Sequence, residues 1–258
     1  MLEEFPGPVL VIVAHPDDIE AHCAGTVARL VQEGTPVSYV LATSGNRGTS
    51  DPQMTADTLA ALREAEQRAA AEIVGVSDVT FLRYDDGDIP FHVPRLRADL
   101  TRLIRQHRPR TVITHDPYPG NGSLDSCAIY PDHTTLGLAA FQAAYLRAPS
   151  PVCESEHLDA GLPLHKVEGL LLIMSGAPDV FVDITATFER RMRALRQHVT
   201  QGRDRPGIEA FFQRIARAGG ARRLCAGRGL PAASADMRCA RRGPCSRHST
   251  RRGIPVVE

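Results

Sequence analysis

The sequence of 258 residues predicts an α/β fold with a Rossmann-like, doubly wound and mostly parallel sheet. Two observations carry this prediction. Short apolar, β-branched runs alternate with longer segments of helical pattern as far as about residue 200. The first run, residues 9–14, contains no polar side chain, which is typical of a strand buried on both faces of a parallel sheet.

The predicted elements follow one another in alternation. After the first strand we expect a helix at 21–33, closed by Gly34, and a strand at 37–42, which completes one βαβ unit with a right-handed crossover. The other predicted helices span 58–74, 94–107, 132–148 and 186–200. The other predicted strands span 79–82, 111–115, 169–174 and 180–184.

The predicted domain covers residues 1–215, and an irregular basic tail follows at 216–258. The tail contains ten arginines against Asp236 and Glu258, and it has no apolar period, so we expect disorder from about Gly219 onward. Since the formal net charge of the whole chain is +0, the preceding domain is acidic. An acidic domain argues against a nucleic acid as partner.

Hydropathy and cysteine spacing bear on the location of the protein. No apolar run is long enough to cross a bilayer, and the first eight residues lack the basic and apolar regions of a secretion signal. We therefore expect no membrane span and a cytoplasmic protein. None of the 6 cysteines forms a paired CxxC spacing, and Cys23 is expected to be a buried apolar residue.

Polar residues follow the first buried strand directly. His15, Asp17 and Asp18 lie where functional groups collect in open α/β sheets, beyond the carboxyl ends of the strands. Pro16 holds the turn extended, so that His15 and Asp18 can converge as metal ligands while Asp17 points elsewhere. His133, which follows another strand end, supplies the third ligand of a catalytic zinc site. Zn²⁺ is the expected cofactor, and the same ligands also suit Fe²⁺ and other divalent ions.

Asp17 is the expected general base, which takes a proton from the attacking water. Four acidic residues close to one point would repel each other strongly without a cation: Asp17, Asp18, Glu20 and Asp132. The alternative is that each motif merely begins a helix, with its aspartates at the positive end of the dipole. Because both motifs follow separate predicted strands, the metal site is favoured.

Two motifs resemble those of the PIG-L/LmbE zinc-dependent N-deacetylases: Ala14-His-Pro-Asp-Asp-Ile-Glu20 and Pro131-Asp-His-Thr-Thr-Leu-Gly137. Weaker similarity at 43–48, 63–66, 86–87, 182–185 and 196–201 extends the resemblance from about Val9 to Gln201. It implies an LmbE-like fold and hydrolysis of an N-acetyl group on an N-acetylglucosamine-type sugar or glycoconjugate. It also implies the metal ligands and the base named above.

Further site residues follow from the same resemblance. Arg63 matches a position that contacts substrate, with a solvated helix arginine as the alternative, and Asp86 is the second expected substrate contact. Asp132 is expected to lie behind the metal ligands and support them. The family commonly has a histidine three residues before the last ligand. Tyr130 stands there in this chain, and its hydroxyl can still donate a hydrogen bond to an oxyanion.

The remaining expectations concern the proton donor and the class of function. Tyr130 and His198 are the expected donors, with His115 and Tyr118 as further candidates. The expected partner is a small acetylated amino sugar or glycoconjugate, and no nucleic acid is expected. The resemblance is compatible with assembly into a homo-oligomer. The alternative function is a catalytically impaired member of the fold that binds metal or carbohydrate. A nucleotide-using enzyme is disfavoured because no GxGxxG follows the first strand.

Overall fold

A computed structural model of the chain describes residues 6–119, 129–176, 178–218 and 223–228. The strands of its single sheet are β1 Val9–Val13, β2 Val37–Thr43, β3 Val79–Tyr84, β4 Thr111–His115, β5 Gly169–Ile173, β6 Val180–Asp183 and β7 Arg223–Arg228. Their order across the sheet is β3-β2-β1-β4-β5-β7-β6. The first five are parallel, and β7 is antiparallel to both of its neighbours. The predicted α/β fold with a mostly parallel sheet is confirmed.

Helices connect the strands. They are α1 Asp18–His22, α2 Ala24–Gln32, α3 Ala56–Val74, α4 Val93–His107, α5 Pro131–Gln142, α6 Ser155–Asp159, α7 Phe188–Leu195 and α8 Ile208–Ala218. Short 3₁₀ helices lie at Ile89–Phe91 and Val199–Gln201, and α5 continues into a π-helical turn at Ala143–Arg147. Within the described ranges, no helix is long and apolar enough to cross a membrane.

The central strand β1 contributes to two separate cores. Val9, Val11 and Val13 pack on one side of the sheet with residues of α2, α3 and α7. Leu10 and Ile12 pack on the other side with residues of α4 and α5. Successive side chains of a strand point to opposite faces, so a strand covered by helices on both faces must be apolar throughout. This is why the first apolar run of the sequence was a reliable indicator of the doubly wound fold.

The predicted helix at 21–33 is two helices that meet at Cys23. The cause of the break is Arg191 of α7, which is distant in the sequence. Its guanidinium donates from Nε to the carbonyl oxygen of Glu20 at 2.9 Å and from Nη2 to that of Ala21 at 2.6 Å. These carbonyls would otherwise accept the hydrogen bonds that continue an α-helix.

The structure also differs from the expected irregular tail in two segments. Helix α8 runs through residue 218, and residues 223–228 form β7 between β5 and β6. The apolar stretch of β7 is too short to show a period, and its place depends on backbone pairing with two neighbouring strands, which the sequence pattern does not encode. The rest of the tail lies outside the described residues, and the division at residue 215 stays a prediction.

Candidate metal and catalytic site

The strand order brings the two predicted motifs together. Because β1 and β4 are parallel neighbours, His15 after β1 and His115 at the end of β4 lie at the same edge of the sheet. Helix α5 begins at Pro131, and its Gly137 lies so close to β4 that a Cβ there would be 2.3 Å from the carbonyl oxygen of His115. This close approach carries His133, one turn earlier in α5, over the end of β1.

His15, Asp18 and His133 converge in a buried cluster. His133 Nε2 lies 3.1 Å from His15 Nδ1 and 3.4 Å from Asp18 Oδ1, and His15 Nδ1 lies 3.5 Å from Asp18 Oδ2. Two ligands of a tetrahedral zinc ion are separated by about 3.3 Å, given bonds of about 2 Å. The donor types and their separations therefore fit one small divalent cation.

The electrostatics of this cluster favour a positive charge. Burial lowers the pKa of His15, but hydrogen bonds with Asp132, Asp18 and Asp86 outweigh it and raise that pKa well above its usual range. Burial raises the pKa of Asp18, but the surrounding histidines, His133 first, hold it well below its usual range. Without a metal, the positive charge beside these carboxylates comes from protonation of an imidazole. A bound metal ion would supply that charge instead.

Asp17 does not belong to the cluster of three ligands, and it has an unusual backbone. It precedes α1 with φ 96° and ψ −17°, in the left-handed region that non-glycine residues seldom adopt. Its N–H donates to Gln67 Oε1 at 3.1 Å, which helps to hold this conformation. Burial, and then the charge of Asp18, raise the pKa of the Asp17 carboxyl, although Arg203 and Arg63 oppose the shift. A raised pKa suits a carboxylate to accept a proton near neutral pH.

Arg63 is a buried residue of α3, so it is not a solvated helix arginine. Its guanidinium donates to the carbonyl oxygen of Pro16 at 2.6 Å and to that of Gly45 at 3.0 Å. It also lies 3.9 Å from Asp86 Oδ2. Arg63 thus joins the loops that follow β1 and β2, and its contact with substrate stays a prediction.

Asp86 and Asp132 flank the other nitrogen of His15. Asp86 Oδ1 and Asp132 Oδ2 each lie 3.2 Å from His15 Nε2, and Asp132 Oδ2 also accepts a hydrogen bond of 2.7 Å from the N–H of Gly87. A carboxylate on the far nitrogen of a ligating imidazole fixes the orientation of the ring. Asp132 lies within reach of His15, and its supporting role stays a prediction.

Tyr130 lies at the exposed rim of the cluster, with 42 % of its surface accessible. Its ring makes edge contacts with the rings of His15 and His133, each at a centroid distance of 5.5 Å. Partial burial, followed by the charges of Asp86 and Asp132, raises the pKa of its hydroxyl. The hydroxyl therefore keeps its proton near neutral pH and can donate a hydrogen bond into the site.

The structure does not bring His198 into the cluster. It is fully buried, and its Nε2 lies 3.0 Å from Glu20 Oε2. Glu20 Oε1 in turn accepts a hydrogen bond of 3.1 Å from Gln67, which binds the backbone of Asp17. His198 thus reaches Asp17 only through two other side chains, and no contact in the site supports its predicted role as a proton donor.

Of the two further donor candidates, His115 reaches the cluster, where its Nε2 lies 3.3 Å from Asp18 Oδ2. Burial lowers the pKa of His115 to about 4, and its Nε2 accepts a hydrogen bond of 3.2 Å from the N–H of Ala14. Its ring stacks on His133 with a centroid distance of 4.2 Å, so it packs beneath the site as a neutral ring. Tyr118 lies beyond β4 and is 75 % exposed.

Sequence reasoning missed two residues that contact Asp17. Gln67 follows Arg63 by one helical turn, so its position on the same face of α3 was a usable signal. Arg203, which donates to Asp17 Oδ2, lies 186 positions away in the chain and in no recognisable motif. Its contact depends on the tertiary fold alone.

Comparison with known proteins agrees with this geometry. The PIG-L family, described as GlcNAc-PI de-N-acetylase, matches residues 10–144. The chain is 33 % identical over 194 residues to the diacetylchitobiose deacetylase of Thermococcus kodakarensis. The alignment covers 75 % of this chain and 69 % of the relative. The chain is 30 % identical over 231 residues to the 1D-myo-inositol 2-acetamido-2-deoxy-alpha-D-glucopyranoside deacetylase of Streptomyces griseus, with 77 % and 70 % covered.

A solved structure extends the similarity to three dimensions. The N,N'-diacetylchitobiose deacetylase of Pyrococcus horikoshii superposes with a TM-score of 0.76 at 30 % identity, and the match covers 86 % of this chain and 83 % of that one. The resemblance inferred from the two motifs is confirmed, and the chain belongs to the PIG-L family.

Proposed function

We propose that this protein is a metal-dependent N-deacetylase that removes an acetyl group from an N-acetylglucosamine-type sugar or glycoconjugate. The observation that carries the proposal is the buried convergence of His15, Asp18 and His133 beside the carboxylate of Asp17. The names of relatives that cover most of the domain support the substrate class, since they describe deacetylases of acetylated amino sugars.

His15, Asp18 and His133 would hold the ion, and two imidazoles with one carboxylate suit Zn²⁺ best, with Fe²⁺ as the next choice. When bound, such an ion polarises the amide carbonyl and makes the attacking water more acidic. Asp132, through its contact with His15 Nε2, would keep that imidazole in the orientation for binding.

The other steps fall to groups around the cluster. Asp17 would accept the proton of the attacking water, and the hydroxyl of Tyr130 would donate to the oxygen of the amide as negative charge develops there. Asp86 and Arg63 are the proposed substrate contacts. For Asp86 the support is its place beside Tyr130 at the rim; for Arg63 it is only proximity to Asp86.

Two further proposals concern the setting of the enzyme. We place it in the cytoplasm, as the sequence predicts. The second candidate function is a protein of the same fold that binds metal and sugar without hydrolysis. Tyr130 in place of the family's usual histidine is the observation that favours it.

Metal content and acetate release, measured on the same preparations, test the proposal. We expect about one equivalent of metal in the wild type and none in the His15→Ala/His133→Ala variant. Asp17→Asn should keep the metal and lose at least about 100-fold in the rate of acetate release from N,N'-diacetylchitobiose. Asp51→Asn, at an exposed loop position, is the matched control. Metal without hydrolysis in the wild type would support the binding protein, and absence of metal after reconstitution would refute both.

A further inference from the structure

Arg203 makes a two-donor contact with one oxygen of Asp17. Its Nε lies 2.9 Å and its Nη2 2.7 Å from Asp17 Oδ2. Asp17 is buried, whereas the Arg203 side chain keeps 30 % of its surface accessible. The hydrogen bond from Nε is charge-assisted, and such a hydrogen bond to a buried carboxylate is strong and directional. It holds Oδ2 in place and stabilises its negative charge.

The other oxygen of Asp17 has a different environment. Nη2 of Arg63 lies 3.6 Å from Oδ1, which is too far for a hydrogen bond. That nitrogen is already committed to the carbonyl oxygen of Pro16 at 2.6 Å. Of the two carboxylate oxygens, Oδ1 therefore has the greater capacity to accept a proton.

The turn that carries Arg203 is anchored to the rest of the site. The N–H of Thr200 donates to Glu66 Oε1 at 2.8 Å and its hydroxyl to Glu66 Oε2 at 2.6 Å. Gln201 donates to the carbonyl oxygen of Gly48 at 3.0 Å, and His198 contacts Glu20. With the turn held against α1, α3 and the loop after β2, Arg203 approaches Asp17 from a fixed backbone. A surface arginine on a free loop would not have this restraint.

We infer that Arg203 is a positioning residue for the general base: it holds Asp17 by Oδ2 so that Oδ1 faces the attacking water and takes its proton. This inference rests on the proposed function. In the step concerned, the O–H bond of the water breaks and the proton bonds to Oδ1. The electron pair left on the water oxygen forms a bond to the amide carbonyl carbon, while the C=O π bond breaks and its electron pair moves onto the carbonyl oxygen. Arg203 gives up no proton and touches no reacting atom.

Three variants test the inference on the full chain. Arg203→Met removes the charge at similar length, Arg203→Lys keeps the charge without the two-donor geometry, and Arg205→Met is the control at an exposed arginine two residues away. A misplacement of about 1 Å in a catalytic group costs roughly 100-fold in rate. We expect kcat for N,N'-diacetylchitobiose to fall about 100-fold in Arg203→Met and about 10-fold in Arg203→Lys, with KM and metal content unchanged.

Several results would overturn the inference. They are an unchanged or higher kcat in Arg203→Met, a loss of metal that parallels the loss of kcat, or an equal effect of Arg205→Met. A higher kcat would mean that the contact with Arg203 hinders proton transfer to Asp17. Lost metal would mean that Arg203 only stabilises the cluster of metal ligands.

A double-variant cycle in thermal unfolding separates this inference from the proposed function. If Arg203 holds Asp17, the melting temperature of Arg203→Met/Asp17→Asn should lie no lower than that of the less stable single variant. Additive losses would overturn the positioning role whatever the activity. A wild type that releases no acetate would refute the proposed function and the role of Oδ1, while the cycle still decides whether Arg203 positions Asp17.

Discussion

Replacing Gly137 by alanine is expected to move His133 and weaken metal binding. A Cβ at position 137 would lie 2.3 Å from the carbonyl oxygen of His115 and 3.1 Å from the backbone nitrogen of Pro117. An ordinary carbon–oxygen contact is about 3.4 Å, so α5 must retreat from β4 by about 1 Å. The obstacle is backbone, which cannot rotate aside as a side chain can.

The stability and affinity changes can be estimated separately. Overpacking costs about 1–3 kcal/mol, and the better helix propensity of alanine returns about 1 kcal/mol. We expect a net loss near 2 kcal/mol, because the contact is with backbone, and a melting temperature lower by roughly 4–8 °C. Since His133 lies one turn away on the displaced helix, metal affinity should fall roughly 10- to 100-fold, as it does when the support of a ligand is lost.

Chelator competition and thermal unfolding measure the two effects. Gly25→Ala is the control, since its Cβ would meet the Ile184 side chain at 2.7 Å, away from the metal ligands. This contact involves no metal ligand, so the variant can lose stability but should bind metal as the wild type does. A Gly137→Ala protein with unchanged metal affinity would refute the idea that the approach of α5 to β4 sets the position of His133.

Three other predictions concern stability. His198→Ala should destabilise the protein by about 3–5 kcal/mol in denaturant unfolding, because it leaves Glu20 buried without that partner. His107→Ala, which breaks the more exposed pair with Asp78, should cost less than about 1 kcal/mol, and equal losses would contradict the reasoning. Arg105→Met should cost at least about 3 kcal/mol and open residues 147–154 to limited proteolysis. The reason is that the fully buried guanidinium of Arg105 donates hydrogen bonds to five backbone carbonyl oxygens of this loop: those of Arg147, Ala148, Ser150, Cys153 and Glu154. Proteolysis of that loop no faster than in Arg102→Met would count against this. The hydrogen bond from Arg83 lowers the pKa of Glu64, so its stabilisation is present above the ordinary pKa of a glutamate and is lost as the pH falls through the folded value. The difference in melting temperature between wild type and Glu64→Gln should therefore shrink from about pH 7 to about pH 3, and a constant difference would argue against the ion pair.

The parts of the fold that were predictable are those with a local signature. The run at Val9–Val13 is apolar because both faces of β1 are covered, and the edge rule for parallel sheets then predicts where His15 and Asp18 lie. His133 was found by the same rule with the help of its motif. These inferences need only the alternation of elements and the residues that follow each strand.

The parts that escaped prediction depend on contacts between distant segments. The helix break at Cys23 is caused by Arg191, more than 160 positions later, and β7 exists because its backbone pairs with β5 and β6. Arg203 contacts Asp17 only because the turn around Thr200 is bound to α3. In each case the decisive partner is a hydrogen-bonding group, and hydrophobic periodicity carries no information about it.

Because the backbone of Asp17 is left-handed, the requirements of thermal stability and of hydrolytic activity conflict at this position. A non-glycine residue held in a sparsely populated backbone region costs about 1–3 kcal/mol, and glycine or asparagine adopts this region more readily. Either substitution would relax the turn, and either would also remove the carboxylate proposed as the base. Where the relief of backbone strain exceeds the loss of the contact with Arg203, selection for thermal stability alone would choose inactive protein at residue 17. An engineering screen on this scaffold needs to score turnover together with melting temperature.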